Sequence, residues 1–413
     1  MLDRIYPREK YLSRIRPFYD SDIVKVITGV RRCGKSCLLR SIMAELKGKG
    51  AGDRIIYLPL DKRGFRSIET PDALEKAIEE RALDDGPHYL FIDEVQNVKG
   101  FEKIVLEFEE EGYSIFLTGS NSYLLSEEIS TKLTGRYLNF ETYPLDFLEF
   151  EEMKRFFGKD IKGDIYEEFQ DFLLFGGFPK SLEFEEPSAK MAYERGVVSE
   201  IIQKDVRSRN RISNAALFER VLSYLLNNYA SPFSLKSFCL ALEKQGLCFK
   251  QSTVKNYIDF LTKAKIVYEC NRFDLKSKKS LAREQKYYLS DLSFYFSSNV
   301  DNRLNYGPSL ENVVFLYLLG QGYQVSVGKI GGLEIDFILR KQDGDYAYLQ
   351  VAYSLQGSDE EARKKIQERE YRPFRSIKDG YPRYILSLDR YLDQREGVRH
   401  LNIIDLFLGK VSL

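Results

Sequence analysis

The sequence predicts an α/β chain: a parallel sheet with helical crossovers in its first third, helix-rich segments after it, and a second α/β region at the C-terminal end. Three observations carry this expectation. Short runs apolar on successive residues alternate with amphipathic stretches, a glycine-flanked loop joins the first such run to a helix, and from Pro144 the pattern changes to helices rich in Phe, Leu and Glu. A strand apolar on every residue is what a sheet covered on both faces requires.

Residues 23–28, 54–58, 89–92 and 114–118 read as strands, with a helical run over 34–46 after the first. Strands spaced by helices imply βαβ crossovers and a ligand site at the strand C-termini. This region is taken as residues 1–144. Residues 145–212 form a helical lid or connector, broken by Phe175-Gly176-Gly177-Phe178-Pro179 and ending near a basic stretch at 204–211. Residues 213–300 read as three helices and two strands. Val254, Tyr257, Ile258 and Leu261 give its third helix one apolar face, strands follow at 266–270 and 286–289, and Lys276, Lys278 and Lys279 mark the turn between them. That succession is the outline of a winged helix. Residues 301–413 form a separate α/β domain, with an apolar helix at 310–319, strands at 323–327, 333–339, 346–351 and 384–388, and a charged helix at 359–370.

Composition narrows the function classes. In 413 residues, 62 Lys and Arg balance 62 Asp and Glu, which excludes a globally basic nucleic-acid coat, and 43% hydrophobic residues exclude wholesale disorder. No apolar run approaches the ~20 residues that span a bilayer, and the N-terminal residues lack the apolar core of a signal peptide. Cys33, Cys37, Cys239, Cys248 and Cys270 form no CxxC pair, consistent with reduced thiols in a cytoplasmic protein. With only His88 and His400, zinc hydrolysis and histidine triads have little basis. The chemistry must rest on carboxylates, lysine, arginine and hydroxyls.

Gly29-Val30-Arg31-Arg32-Cys33-Gly34-Lys35-Ser36 satisfies G-x-x-x-x-G-K-[ST] directly after a strand and opening a helix. Glycines at both ends let the backbone wrap so that consecutive amides, continuing into Cys37, point at phosphate oxygens, and the helix N-terminus adds partial positive charge. Lys35 is expected to reach the β- and γ-phosphates of ATP, and the Ser36 hydroxyl to bind Mg²⁺. Asp93, at the end of the apolar run Leu90-Phe91-Ile92, is costly to bury unless it faces a cation and is expected to hold Mg²⁺ opposite Ser36. Glu94 would orient or deprotonate the attacking water. In Thr118-Gly119-Ser120-Asn121, either Ser120 or Asn121 could position that water, although the same residues are ordinary turn chemistry. Arg136 is a candidate for stabilising transition-state charge, on its own subunit's nucleotide or a neighbour's.

Together with the PLDF stretch at residues 144–147, these motifs make the chain resemble a group of AAA-type P-loop ATPases found in bacteria and archaea. The group carries a GGFP turn, at 176–179 here, a winged helix, and a C-terminal domain similar to restriction endonucleases. The resemblance implies a sheet in the order 5-1-4-3-2 and strengthens Arg136 as a functional arginine. Endonucleases of this type use a helix glutamate, an aspartate and an (E/Q)-x-K strand to bind Mg²⁺ and activate water. Here Glu311, Asp336 and Gln350 stand in those places, but Ala352 stands where the lysine belongs. Lys329 or Lys341 could substitute spatially, and a degenerate fold kept for binding or assembly is the favoured expectation. On the third helix of the winged-helix segment, Lys255, Asn256, Asp259 and Lys263 form a solvent face able to meet DNA or a protein.

The expectation is therefore an ATP-binding, Mg²⁺-dependent ATPase, forming ADP and phosphate, whose nucleotide state drives its C-terminal domains. The alternatives are an ATP-dependent DNA-binding or DNA-cleaving enzyme and a nucleotide-gated protein-binding module without significant turnover. ATP, DNA through the winged helix, and a protein partner or a second copy are the expected partners, with no membrane.

Overall fold

Strands β1 (Val24–Thr28), β2 (Ile55–Pro59), β3 (Tyr89–Asp93) and β4 (Ser114–Thr118) form where successive residues are apolar. β1 and β4 are buried at every position. A fifth strand, β5 (Tyr137–Glu141), has no residue fully buried and alternates polar with apolar side chains, so no continuous apolar run announces it. The computed structural model describes residues 4–83, 88–119, 124, 133, 135–298, 305–341, 344 and 346–413. Ser120, Asn121 and Thr134 lie outside the described residues. The chain divides into two compact units, Met1–Pro144 and Leu145–Leu413.

In the first unit the five strands are parallel and run in the order β2-β3-β4-β1-β5, the order the resemblance implies. Helices α1 (Glu9–Ile15) and α2 (Lys35–Gly48) bury Leu12, Ile15, Leu39 and Ile42 with Phe91 and Phe116 of the sheet. Those two rings stack at 4.5 Å and 7°. Helices α3 (Pro71–Glu79) and α4 (Phe101–Glu110) pack Leu74, Ile78, Ile104 and Val105 with Leu90, Ile92, Ile115 and Leu117. Alternate residues of one strand thus feed two cores, at about 1.5–3 kcal/mol per buried large apolar side chain. Because every strand points the same way, the residues that follow β1, β3 and β4 emerge at one edge of the sheet.

The second unit opens with helices Phe147–Phe156, Ile165–Phe175 and Pro187–Ile201. The turn after the second of these is built on close approach. Gly176 has φ +66°, and a β-carbon there would lie 2.0 Å from Asp291 Oδ1. A β-carbon on Gly177 would lie 2.3 Å from the Leu145 carbonyl oxygen. Gly177 N donates to Asp291 Oδ2 at 2.6 Å, and Leu145 N donates to the Gly177 carbonyl at 2.7 Å. The GGFP and PLDF stretches therefore meet each other, and buried Asp291 clamps them.

Three helices follow (Ala215–Asn227, Leu235–Lys244 and Gln251–Lys263), then the hairpin of β6 (Val267–Asp274) and β7 (Lys279–Leu289). Beyond helix Tyr306–Gly320 come β8 (Gln324–Ile330), β9 (Leu333–Arg340), β10 (Tyr346–Val351), helix Glu360–Arg375, β11 (Arg383–Ser387) and β12 (Arg399–Asn402). One mixed sheet runs β12-β11-β10-β9-β8-β6-β7. β6 pairs parallel with β8 through Arg272 and Val327, so the boundary expected near residue 300 is not a break in the sheet. Local patterning reveals a strand but not the partner it will hydrogen-bond. Among the described residues no helix is long and apolar enough to cross a membrane.

Lys25 breaks the pattern of β1. Its side chain is fully buried, with Nζ 2.8 Å from the Ser21 carbonyl and from Ser114 Oγ, and 4.5 Å from the centre of the Phe116 ring. Burial lowers its pKa to about 7, against the opposing pull of Asp22 and Asp20. The unfolded chain, with a lysine pKa of about 10.4, then binds a proton between these values that the folded chain lacks. Stability should rise with pH across that window by at most about 1.4 kcal/mol per unit from this group. Urea unfolding midpoints at pH 7.5 and 9.5 check it: Lys25→Met should lose that increment relative to the unsubstituted chain.

Candidate functional site: the loop after β1

The loop from Gly29 to Gly34 is shaped by what lies behind it. Gly29 has φ +143°, and a β-carbon there would stand 2.1 Å from the Thr142 carbonyl oxygen, so only glycine fits. The buried Cys33 thiol donates to that same carbonyl at 3.3 Å. Arg8, itself buried, donates from Nη1 to the Cys33 carbonyl at 3.0 Å and to the Tyr143 carbonyl at 2.9 Å, tying the loop to the chain that follows β5. Arg32 and Gly34 adopt φ +69° and +107°, and α2 begins at Lys35 without a side-chain cap. Its first-turn amides lack the intrahelical partners that later amides have.

Lys35 Nζ, 8% exposed as a residue, donates to the Gly29 and Val30 carbonyls at 2.9 and 3.2 Å, across the mouth of the loop. Ser36 Oγ donates to Asp93 Oδ1 at 3.1 Å. Asp93 is buried at the end of β3, where its Oδ1 also accepts from Thr118 Oγ1 and its Oδ2 from the Tyr57 hydroxyl at 3.3 Å. Burial pushes the Asp93 carboxyl up, while the hydroxyls of Thr118 and Ser36 pull it down.

Glu94 follows directly, with φ +60°. A non-glycine residue held in the left-handed region costs of order 1–3 kcal/mol, and such strain clusters at functional sites. Glu94 N donates to Thr118 Oγ1 at 3.1 Å, and Gln96 Nε2 donates to Glu94 Oε2 at 2.5 Å. One hydroxyl, Thr118, therefore accepts from the Glu94 backbone and donates to the Asp93 side chain.

The structure thus brings Gly29, Val30, Cys33, Lys35, Ser36, Asp93 and Glu94 together at one edge of the sheet. Arg31 and Arg32 lie on the same loop, and Cys37, exposed, accepts from Arg40 Nη2 at 3.2 Å. Arg136 is not brought there within one chain. Its carbonyl accepts from Val24 N at the opposite end of β1, five residues at about 3.3 Å each, or roughly 16 Å, from the loop. Its guanidinium pairs with Glu109 and Glu110 at 3.0 and 2.9 Å. The reason is topological: β5 runs parallel to β1, so the residue before β5 sits at the end away from the loop. Thr118, Tyr57, Gln96 and Arg8 were missed by sequence reasoning. The only signal for Thr118 was a hydroxyl ending an apolar strand.

In the second unit Glu311, Asp336 and Gln350 also converge. Asp336 N donates to Gln350 Oε1 at 3.3 Å, and Val351 N to Asp336 Oδ2 at 2.8 Å. The lysine among them is neither Lys329, which lies 3.9 Å from Glu284, nor Lys341, which sits over the Tyr323 ring. It is Lys286 of β7, 2.8 Å from both Glu311 Oε1 and Glu334 Oε1. Burial works against its charge, but Glu311, Asp336 and Glu334 outweigh it and hold its pKa above lysine's usual value. A lysine at the head of the apolar run Tyr287-Tyr288-Leu289 was the available signal. Ala352, where the endonuclease motif places lysine, is buried among Ile335, Tyr348 and Ile385.

Ser387, His400 and Asp389 also meet, but not as a nucleophilic triad. His400 Nδ1 accepts from Asp393 N at 3.2 Å, so the ring proton sits on Nε2 and faces Ser387 Oγ at 2.8 Å. Ser387 in turn donates to Asp389 Oδ2 at 3.0 Å. The imidazole cannot accept the serine proton, and all three are buried.

Comparison with known proteins agrees with this geometry. Residues 21–151 match the model of an AAA domain, and residues 166–302 match that of a domain of unknown function. An uncharacterised Haemophilus influenzae protein is 31% identical over 407 residues, covering 97% of this chain and 98% of that protein. The Methanocaldococcus jannaschii protein MJ1544 is 29% identical over 355 residues, 84% of this chain and 78% of its own. A Walker-type ATPase of Pyrococcus abyssi superposes on 71% of this chain and 96% of its own, with TM-score 0.51 and 16% identity, a likeness of fold. The first unit is a P-loop NTPase sheet.

Thr118→Val keeps the shape of the side chain but leaves Asp93 and the Glu94 amide short of one partner each. Urea denaturation should show a loss of about 1–3 kcal/mol.

Proposed function

We propose, from the premise that this chain belongs to one family with the Haemophilus influenzae protein and carries an AAA domain, that it binds ATP with Mg²⁺ and hydrolyses it slowly, as a switch acting on its C-terminal unit. The observation that carries this reading is the 3.1 Å contact between Ser36 Oγ and Asp93 Oδ1 beside an uncapped helix N-terminus.

The loop amides and the start of α2 fit a polyphosphate, because the helix begins without a side-chain cap and its N-terminus presents donors and partial positive charge. Lys35 exchanges its two carbonyl partners for phosphate oxygens, a short swing of one ammonium. Ser36 and Asp93 are the residues that would hold Mg²⁺, which supplies charge neutralisation on the phosphates when bound. Glu94, its backbone fixed by Thr118 and its carboxylate by Gln96, accepts the proton of the attacking water. Asp93, buried and triply hydrogen-bonded, is poorly placed for that task, so the two neighbouring carboxylates divide the work. Arg136, if it meets a nucleotide, meets one held by a second copy.

A second reading, DNA contact through the second unit, is favoured by one observation: Lys255, Asn256 and Lys263 are exposed on helix Gln251–Lys263, as are Lys276, Lys278 and Lys279 at the hairpin turn. Asp259 on the same helix is only half-buried and works against it.

Lys35→Ala should weaken ATP binding at least tenfold, about 1.4 kcal/mol, in a fluorescent-nucleotide titration; affinity unchanged within threefold would remove the central assignment. Glu94→Gln should retain ATP affinity while phosphate release falls by roughly 100-fold or more. Turnover near the unsubstituted rate would exclude Glu94 as the activating group. If the unsubstituted chain binds ATP without releasing phosphate, the module without turnover is the better description.

A further inference from the structure

Glu311, Asp336 and Gln350 stand where the endonucleases that the C-terminal domain resembles hold Mg²⁺, a site the resemblance leaves as a possible vestige. The residues present do not fit it. The Lys286 ammonium stands among the carboxylates, with Nζ 2.8 Å from Glu311 Oε1, 2.8 Å from Glu334 Oε1 and 4.0 Å from Asp336 Oδ1, and its side chain is 3% exposed. Separations of 2.8 Å are those of charge-assisted N–H···O bonds, whereas Mg²⁺ draws oxygens to about 2.1 Å. Further lone pairs of the same carboxylates are engaged by the chain itself. Tyr288 donates to Glu311 Oε1 at 2.6 Å, Val351 N donates to Asp336 Oδ2 at 2.8 Å, and Arg272 pairs with Glu334 Oε2. Gln350 Oε1 accepts from the Asp336 amide. Among the described residues no group of three His, Cys, Asp or Glu side chains is arranged to hold a metal ion.

We infer that Lys286 is the resident cation of this cluster: an ammonium carried by the chain takes the place that a divalent metal takes in an endonuclease, and the C-terminal sheet works without one. The position of the lysine supports this. A catalytic lysine from the third motif strand would stand beside the metal ligands, whereas Lys286 reaches in from β7 and sits between them. A buried carboxylate such as Asp336, with half-buried Glu311 and Glu334 beside it, requires a compensating charge, and here it is covalently attached, so it cannot dissociate. The residues that bind metal in an endonuclease thereby become a structural ion cluster joining the hairpin strand β7 to helix Tyr306–Gly320 and to β9.

The test is Mn²⁺ binding to the full chain without nucleotide, followed by electron paramagnetic resonance. The unsubstituted chain and Asp336→Asn should bind the same number of Mn²⁺ ions. Lys286→Ala should bind one more, lost again in the Lys286→Ala, Asp336→Asn double variant, and Mn²⁺ should raise the Tm of Lys286→Ala alone. A folded Lys286→Ala that gains no Mn²⁺ overturns the inference. Should Lys286→Ala fail to fold, the first comparison still decides: a Mn²⁺ site in the unsubstituted chain weakened tenfold or more by Asp336→Asn, or Asp336-dependent nicking of plasmid in Mn²⁺, overturns it, and equal binding upholds it.

Discussion

A carboxylate buried at the end of a strand sets the terms for the N-terminal site. Asp93 is surrounded by side chains from α2, β2 and β4, and it is tolerated because Ser36, Tyr57 and Thr118 each turn a hydroxyl toward it. None of these partners is adjacent to it in sequence. The parallel sheet makes the arrangement available, since it ends all its strands on one edge and so lets a single carboxylate draw on several elements. The Thr118 hydroxyl then extends the constraint to the Glu94 backbone, so the Asp93 side chain and the Glu94 main chain are set by one atom.

The phosphate-binding loop depends on support from outside its own motif. Thr142, just past the edge strand, receives both the Gly29 close approach and the Cys33 thiol, and Arg8 reaches the loop from before α1. The x positions of the motif are therefore not all alike: Cys33 faces the protein and Arg32 faces solvent. The same logic explains the glycine pair at 176–177, whose missing side chains make room for Asp291 and Leu145 rather than for a ligand.

The two acidic clusters of this protein solve one problem in opposite ways. At Asp93 the partners are neutral hydroxyls, of Ser36, Tyr57 and Thr118. At Glu311, Glu334 and Asp336 the cation is Lys286, already attached to the chain. Carboxylate count alone does not separate a metal site from an ion-pair cluster. What separates them is whether the compensating charge can leave.

Much of the first unit was legible in the amino-acid order. Apolar runs long enough for buried strands, a loop with glycine at both required places, and two carboxylates ending a strand are local patterns with local physical causes. They located Lys35, Ser36, Asp93 and Glu94, and the family likeness supplied the strand order that periodicity cannot. Tertiary structure alone decided the rest. Edge strand β5 carried no apolar run, and none of its residues is fully buried. The hairpin joined the C-terminal sheet because backbone pairing reads hydrogen-bond geometry rather than side-chain pattern. Arg136 fell at the far end of β1, and Lys286 arrived at residues 25 and 50 positions away along the chain, because proximity there is set by strand direction and helix packing. Contacts between distant residues are selected by the whole fold, and no spacing along the chain encodes them.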